Sequence, residues 1–131
     1  MAEGTFATAI NCMDGRTQDC VSSWLKEKHG VDFVDTITEP GADKAVTEGP
    51  DWQVNSVQNR VKISVEGHGS NVIAIVGHHD CAGNPVSKEM HLDQVKKAVD
   101  ILAGWYPRVT VYGVWVGDDW KVQQICEHTP Q

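Results

Sequence analysis

No stretch of this 131-residue chain stays apolar for anything near the roughly 20 residues needed to cross a bilayer, so a membrane span is excluded from the reading. Basic residues are few and scattered: eleven Lys and Arg stand against eighteen Asp and Glu, a formal net charge of −7. That balance argues against nucleic acid or an anionic membrane surface as the partner and favours a small or neutral ligand. The five tryptophans have no basic stripe beside them, so they read as core or subunit contacts and not as a platform for stacked bases. No export signal is expected either, because Met1-Ala2-Glu3-Gly4 opens with an acid where basic residues and an apolar run belong. The expected compartment is the cytoplasm, and there four cysteines point to metal ligands or buried thiols before disulfides. Repeats and low-complexity segments are absent, and the length suits one domain over 1–131.

What is present alternates between strand and helix signals. Thr5 to Asn11 is a short apolar run that stops at Cys12, with turn chemistry in Asp14-Gly15. Val21, Trp24 and Leu25 then recur at helical spacing from Thr17, a candidate cap, to the stop at Gly30. Val31 to Thr38 reads as a second strand, followed by a loop from Glu39-Pro40-Gly41-Ala42 to Gly49-Pro50. After Asp51 as cap, Val54, Val57, Val61 and Val65 predict a helix that Gly67-His68-Gly69 breaks. Val72 to Val76 is continuously apolar, the mark of a strand covered on both faces. Ser87 can cap a helix whose apolar face is Met90, Leu92, Val95, Val99 and Leu102, ending at Gly104. Arg108 to Val116 predicts a fourth strand, and Gly117-Asp118-Asp119 a turn into a short last strand around Lys121 to Ile125.

Such alternation implies right-handed crossovers and a three-layer α/β/α fold. The sheet is expected to be mainly parallel, in the order 2-1-3-4, with a short antiparallel C-terminal strand. Ligands bind where that order reverses, between the carboxyl ends of strands 1 and 3. Cys12 follows the first of these; His78 and Cys81 follow the third. Two thiols and an imidazole make an open zinc site with one position left for water, and their spacing is not that of a zinc finger. The prediction is one zinc per chain on Cys12, His78 and Cys81. Asp14 and Arg16 lie two positions apart, close enough for the guanidinium to fix the carboxylate. His68, His79 and His91 are candidate proton carriers, read first as surface or structural groups. Asp80 reads as an acceptor that orients the loop or a ligand histidine. Cys20 and Cys126 read as core residues.

Cys12-Met13-Asp14-Gly15-Arg16 and His78-His79-Asp80-Cys81 together resemble the β-class carbonic anhydrases, whose pattern is Cys-x-Asp-x-Arg followed, several tens of residues later, by His-x-x-Cys at a strand end. The resemblance spans most of the chain and implies a zinc enzyme for reversible hydration of carbon dioxide to bicarbonate by zinc-bound hydroxide. It implies that Asp14 orients the nucleophile and that Arg16 keeps Asp14 from becoming the fourth ligand. It also implies a homodimer or higher homo-oligomer. Two positions depart from the pattern: Gly15 stands where serine is usual, and Ala82, before Gly83, where glycine is usual.

Alternatives differ in chemistry. The same zinc site could act on carbonyl sulfide or carbon disulfide, or the chain could be a non-catalytic zinc-binding or thiol-redox module. A cysteine phosphatase or arsenate reductase needs Cys-x₅-Arg, and position 18 is Gln18.

Overall fold

Apolar runs and turn residues become five strands and four α-helices over residues 3–130, which the computed structural model describes. Met1 and Ala2, part of the Met1–Gly4 opening, and Gln131 lie outside the described residues. In chain order these are β1 (Phe6–Asn11), α1 (Gln18–His29), β2 (Phe33–Thr38), α2 (Ala42–Glu48), α3 (Asp51–Lys62), β3 (Val72–His78), α4 (Lys88–Trp105), β4 (Thr110–Val116) and β5 (Val122–His128). One sheet holds all the strands in the order β2-β1-β3-β4-β5. Its first four strands are parallel and β5 returns antiparallel to β4, with an irregularity at Gly113/Val114. The expected order is the observed one.

Strand alternation divides the core into two layers. On one face Ala7, Ala9, Ala74 and Val114 meet Val21 and Leu25 of α1, where the small alanines let the helix approach closely. On the other, Ile10, Ile73 and Ile75 meet Val46, Val57, Val61, Val95, Val99 and Leu102 from α2, α3 and α4. Every residue of β3 is buried, as its unbroken apolar run requires. Leu25 is fully buried, and truncating it to alanine would cost about 2–5 kcal/mol.

Several local expectations are corrected. The segment read as a loop contains α2, whose buried Ala42, Ala45 and Val46 share a face with the buried acid Asp43. Thr17 makes no side-chain cap bond; it is already helical, because a 3₁₀ turn at Gly15–Thr17 starts the helix and Asp14 caps that turn. Pro50 occupies the cap position of α3 and Asp51 is the first helical residue, placing an acid at the positive end of the helix dipole. A π-helical turn, Ile63–Gly67, continues α3. Met90, assigned to the apolar face of α4, is half exposed, while Ser87 Oγ accepts the Met90 amide as expected of a cap. Trp115 is buried but Trp52 is exposed, so the tryptophans do not act as one set. Cys20 and Cys126 are half-buried against the two core layers.

Candidate metal centre

Three segments meet at the carboxyl end of the sheet, where the strand order reverses between β1 and β3. β1 delivers Cys12, β3 ends on His78, and the next loop returns Cys81. The His79 amide extends the β3–β4 ladder by donating to the Val116 carbonyl at 2.8 Å. Asp80 then takes a left-handed φ of 56°, a conformation that aspartate adopts more readily than most residues, and the chain turns back toward Cys12. Gly83 lets this loop lie on Pro40-Gly41: a Cβ there would sit 2.5 Å from the Pro40 carbonyl carbon and 2.8 Å from the Gly41 nitrogen.

Cys12, His78 and Cys81 are all buried, and their ligand atoms lie within 4.8 Å of one another. The two sulfurs are 3.9 Å apart. That is far beyond disulfide length and close to the separation of about 3.8 Å that two thiolates have when each is about 2.3 Å from a tetrahedral ion. His78 Nδ1 lies 2.7 Å from the His79 carbonyl, which can only accept, so Nδ1 carries the proton. Nε2 is left with its lone pair, buried and without a protein partner. A buried acceptor in that condition costs about 1–3 kcal/mol, and an electrophile on Nε2 would remove the penalty. The donor set therefore fits a borderline-soft metal ion such as zinc.

Burial pushes the Cys12 thiol up, but His78, when its ring is protonated, and the Gly41 and Asp14 amides outweigh it and bring the thiol down to about 7. Burial and the neighbouring Cys12 sulfur push Cys81 the other way, above its ordinary value. Two thiols this close do not both ionise without a cation between them.

Asp14 stands beside the cluster with both carboxylate oxygens engaged. Arg16 donates from Nε to Oδ1 at 3.0 Å and from Nη2 to Oδ2 at 2.6 Å, while its amide donates to Oδ1 at 3.0 Å. The guanidinium holds the Asp14 carboxyl down to about 2. On its other side Arg16 donates to the Asp80 carboxylate at 3.2 Å and the Asp80 carbonyl at 3.1 Å, and it lies 4.4 Å from the centre of the Trp120 ring. A cavity of about 360 Å³ adjoins the cluster, lined by Cys12, Met13, Asp14, Pro40, Ala82 and Gly83.

The structure thus brings together all five residues singled out in the sequence, Cys12, Asp14, Arg16, His78 and Cys81. Asp80 is an acceptor that ties its loop to Arg16, one of the two roles read for it; the other fails, since the His79 carbonyl and not Asp80 serves His78. Among the candidate proton carriers, His68 pairs with Asp35 at 2.6 Å and His91 is buried against Asp43 at 2.5 Å. His79 lies beside Trp120, its ring centre 6.3 Å away. Two features escaped the sequence reading. One is a buried polar network in which the Asn84 amide donates to Asp43 at 3.0 Å and to Gln94 at 2.6 Å, beneath Gly77. The only available signal was a polar residue, Asp43, amid small apolar ones. The other is Trp120, whose place just after a Gly-Asp-Asp turn could have suggested a residue presented by a hairpin.

A family model described as "Putative carbonic anhydrase" matches residues 2–126. An uncharacterized protein of Rickettsia conorii is 27% identical over 131 residues, covering 90% of this chain and 70% of the relative. Another, from Rickettsia bellii, is 25% identical over 134 residues, covering 92% and 82%. Among solved structures, β-carbonic anhydrase isoform I of Trichomonas vaginalis superposes with a TM-score of 0.67 at 15% identity, covering 98% of this chain and 87% of that one. A structure from a study of two tetrameric β-carbonic anhydrases of Sordaria macrospora gives a TM-score of 0.66 at 12% identity, covering 96% and 83%. At those identities the solved structures speak for the fold.

Proposed function

We propose, from the premise that the chain belongs to the carbonic anhydrase family whose model spans residues 2–126, that it catalyses the reversible hydration of carbon dioxide at one zinc ion per chain. The observation that carries this reading is the buried, unpartnered His78 Nε2 within 4.8 Å of two thiols, beside a carboxylate held off by arginine. Bound zinc supplies Lewis acidity, which lowers the pKa of water toward neutrality.

The chain's own residues do the rest. Cys12, His78 and Cys81 offer three donors, so a tetrahedral ion keeps one place for solvent. Asp14, held down to about 2, is a carboxylate throughout the neutral range and can accept a proton-bearing oxygen while fixing its direction. Arg16 keeps that carboxylate oriented and occupied. Met13, Pro40, Ala82 and Gly83 give the adjoining cavity a largely apolar wall, suited to a small neutral electrophile. Homo-oligomers complete the proposal, supported by the exposed Met13, Phe33, Trp52 and Ile63.

Stopped-flow hydration with a pH indicator tests the activity. Zinc-loaded protein should hydrate carbon dioxide, faster at alkaline pH, and Asp14→Asn should lower turnover about 100-fold with zinc retained. Fully metallated protein that is inactive at every pH would contradict the reading and direct the assay to carbonyl sulfide and carbon disulfide.

A further inference from the structure

Among the described residues, two non-glycine positions have a left-handed backbone: Asp80 at φ 56° and Trp120 at φ 57°. They lie in different loops, and both touch the same side chain. Asp80 receives two hydrogen bonds from Arg16, at 3.2 and 3.1 Å, and the Trp120 ring lies 4.4 Å from the guanidinium carbon. Uncommon backbone conformations that converge on one group motivate a functional hypothesis for it.

Trp120 is the clearer case. Its amide donates to the Gly117 carbonyl at 2.9 Å, closing a turn Gly117–Trp120 at the tip of the β4–β5 hairpin. The left-handed place after such a turn ordinarily takes glycine, and a bulky side chain there is a genuine outlier. The tryptophan stands where the backbone resists it, and its ring packs on Arg16, with His78 and His79 6.4 and 6.3 Å away.

We propose that Trp120 and Asp80 form a clamp behind Arg16 that keeps Asp14 off the metal, so that the β4–β5 hairpin sets whether the fourth metal position stays open. The inference rests on the metal reading above. Asp14 presents its oxygens to Arg16 and lines, with Cys12, the cavity that adjoins the cluster, so its choice of partner depends on how firmly the guanidinium is held. Nε and Nη2 hold Asp14, while Nη1, Nη2 and the flat face are held by Asp80 and Trp120. Without that backing, a half-exposed arginine is free to leave, and a released carboxylate beside a cation will bind it. Trp120 and Asp80 are positioning residues, acting through Arg16 and Asp14.

The clamp is tested first without metal. With three arginines in the chain, the Arg16 Nε–H signal in nuclear magnetic resonance is assigned by its loss in Arg16→Lys. In Trp120→Gly, which the left-handed turn accommodates, that proton should exchange with water about tenfold faster, and Trp120→Phe should stay near the parent. Asp80→Asn, which keeps the turn, should move it in the same direction. Unchanged exchange in both Trp120→Gly and Asp80→Asn overturns the clamp, whatever the protein catalyses.

The consequence for the metal is read in cobalt(II)-substituted protein, by titrating azide and following visible absorption. Azide should bind about tenfold more weakly to Trp120→Gly, and the difference should vanish in an Asp14→Asn background. Equal azide affinity in parent and Trp120→Gly, or a loss that persists in the Asp14→Asn background, overturns action through Asp14. A parent that takes up no cobalt overturns the metal reading instead, and the exchange rates still decide the clamp.

Discussion

Asp14 shows how one side chain links stability to the site. Its carboxyl is brought down to about 2 by Arg16, below an unfolded value near about 3.9, so the folded state binds the proton less readily than the unfolded chain. The stabilisation is therefore complete above about pH 4 and is lost as pH falls toward 2. Urea unfolding at pH 5 and at pH 2.5 should show a larger acid-induced loss in the parent than in Asp14→Asn; equal losses would mean that the ion pair does not form in solution. The site was legible at this scale because metal ligands and their neighbours are chemically demanding and lie in two short segments. Trp120 was not, because nothing in a sequence announces a left-handed tryptophan. That Asp80 would accept from Arg16 and not from a ligand histidine was not legible, because its backbone conformation, invisible in the sequence, turns its carboxylate to Arg16.

Among the elements, strands and long helices followed their periodicity, and α2 did not. Seven residues give too few turns for a pattern, and the position that buries Asp43 breaks the apolar face that would mark it. Asp43 is buried because the fold provides three partners: His91, Asn84 and the Lys44 amide. Removing it strands His91 and Asn84 in the core beside β3. Asp43→Ala should destabilise the protein on the order of 3 kcal/mol, measured by chemical denaturation. A loss below about 1 kcal/mol would show that water replaces the carboxylate and that the network does not anchor α2 to α4. Met90 marks the opposite failure, an apolar residue at correct spacing in the first turn of α4, where little of the sheet reaches it.

At the scale of the whole molecule, strand order was readable because right-handed crossovers leave few arrangements, and the order brings distant segments to one place. Assembly was less legible, since exposed Phe33, Trp52 and Ile63 are separate in sequence. Light scattering should give a dimer or larger species at micromolar concentration; a species of 14.4 kDa would contradict the oligomer. The central claim is that strands β1 and β3 converge to hold one metal ion with a position to spare. X-ray absorption at the zinc edge measures this directly. The expected first shell is two sulfurs at about 2.3 Å and two lighter atoms at about 2.0–2.1 Å, one imidazole nitrogen and one oxygen, with one sulfur lost in Cys81→Ser. A purified protein with no stoichiometric zinc, or a first shell unchanged by that substitution, would contradict the account.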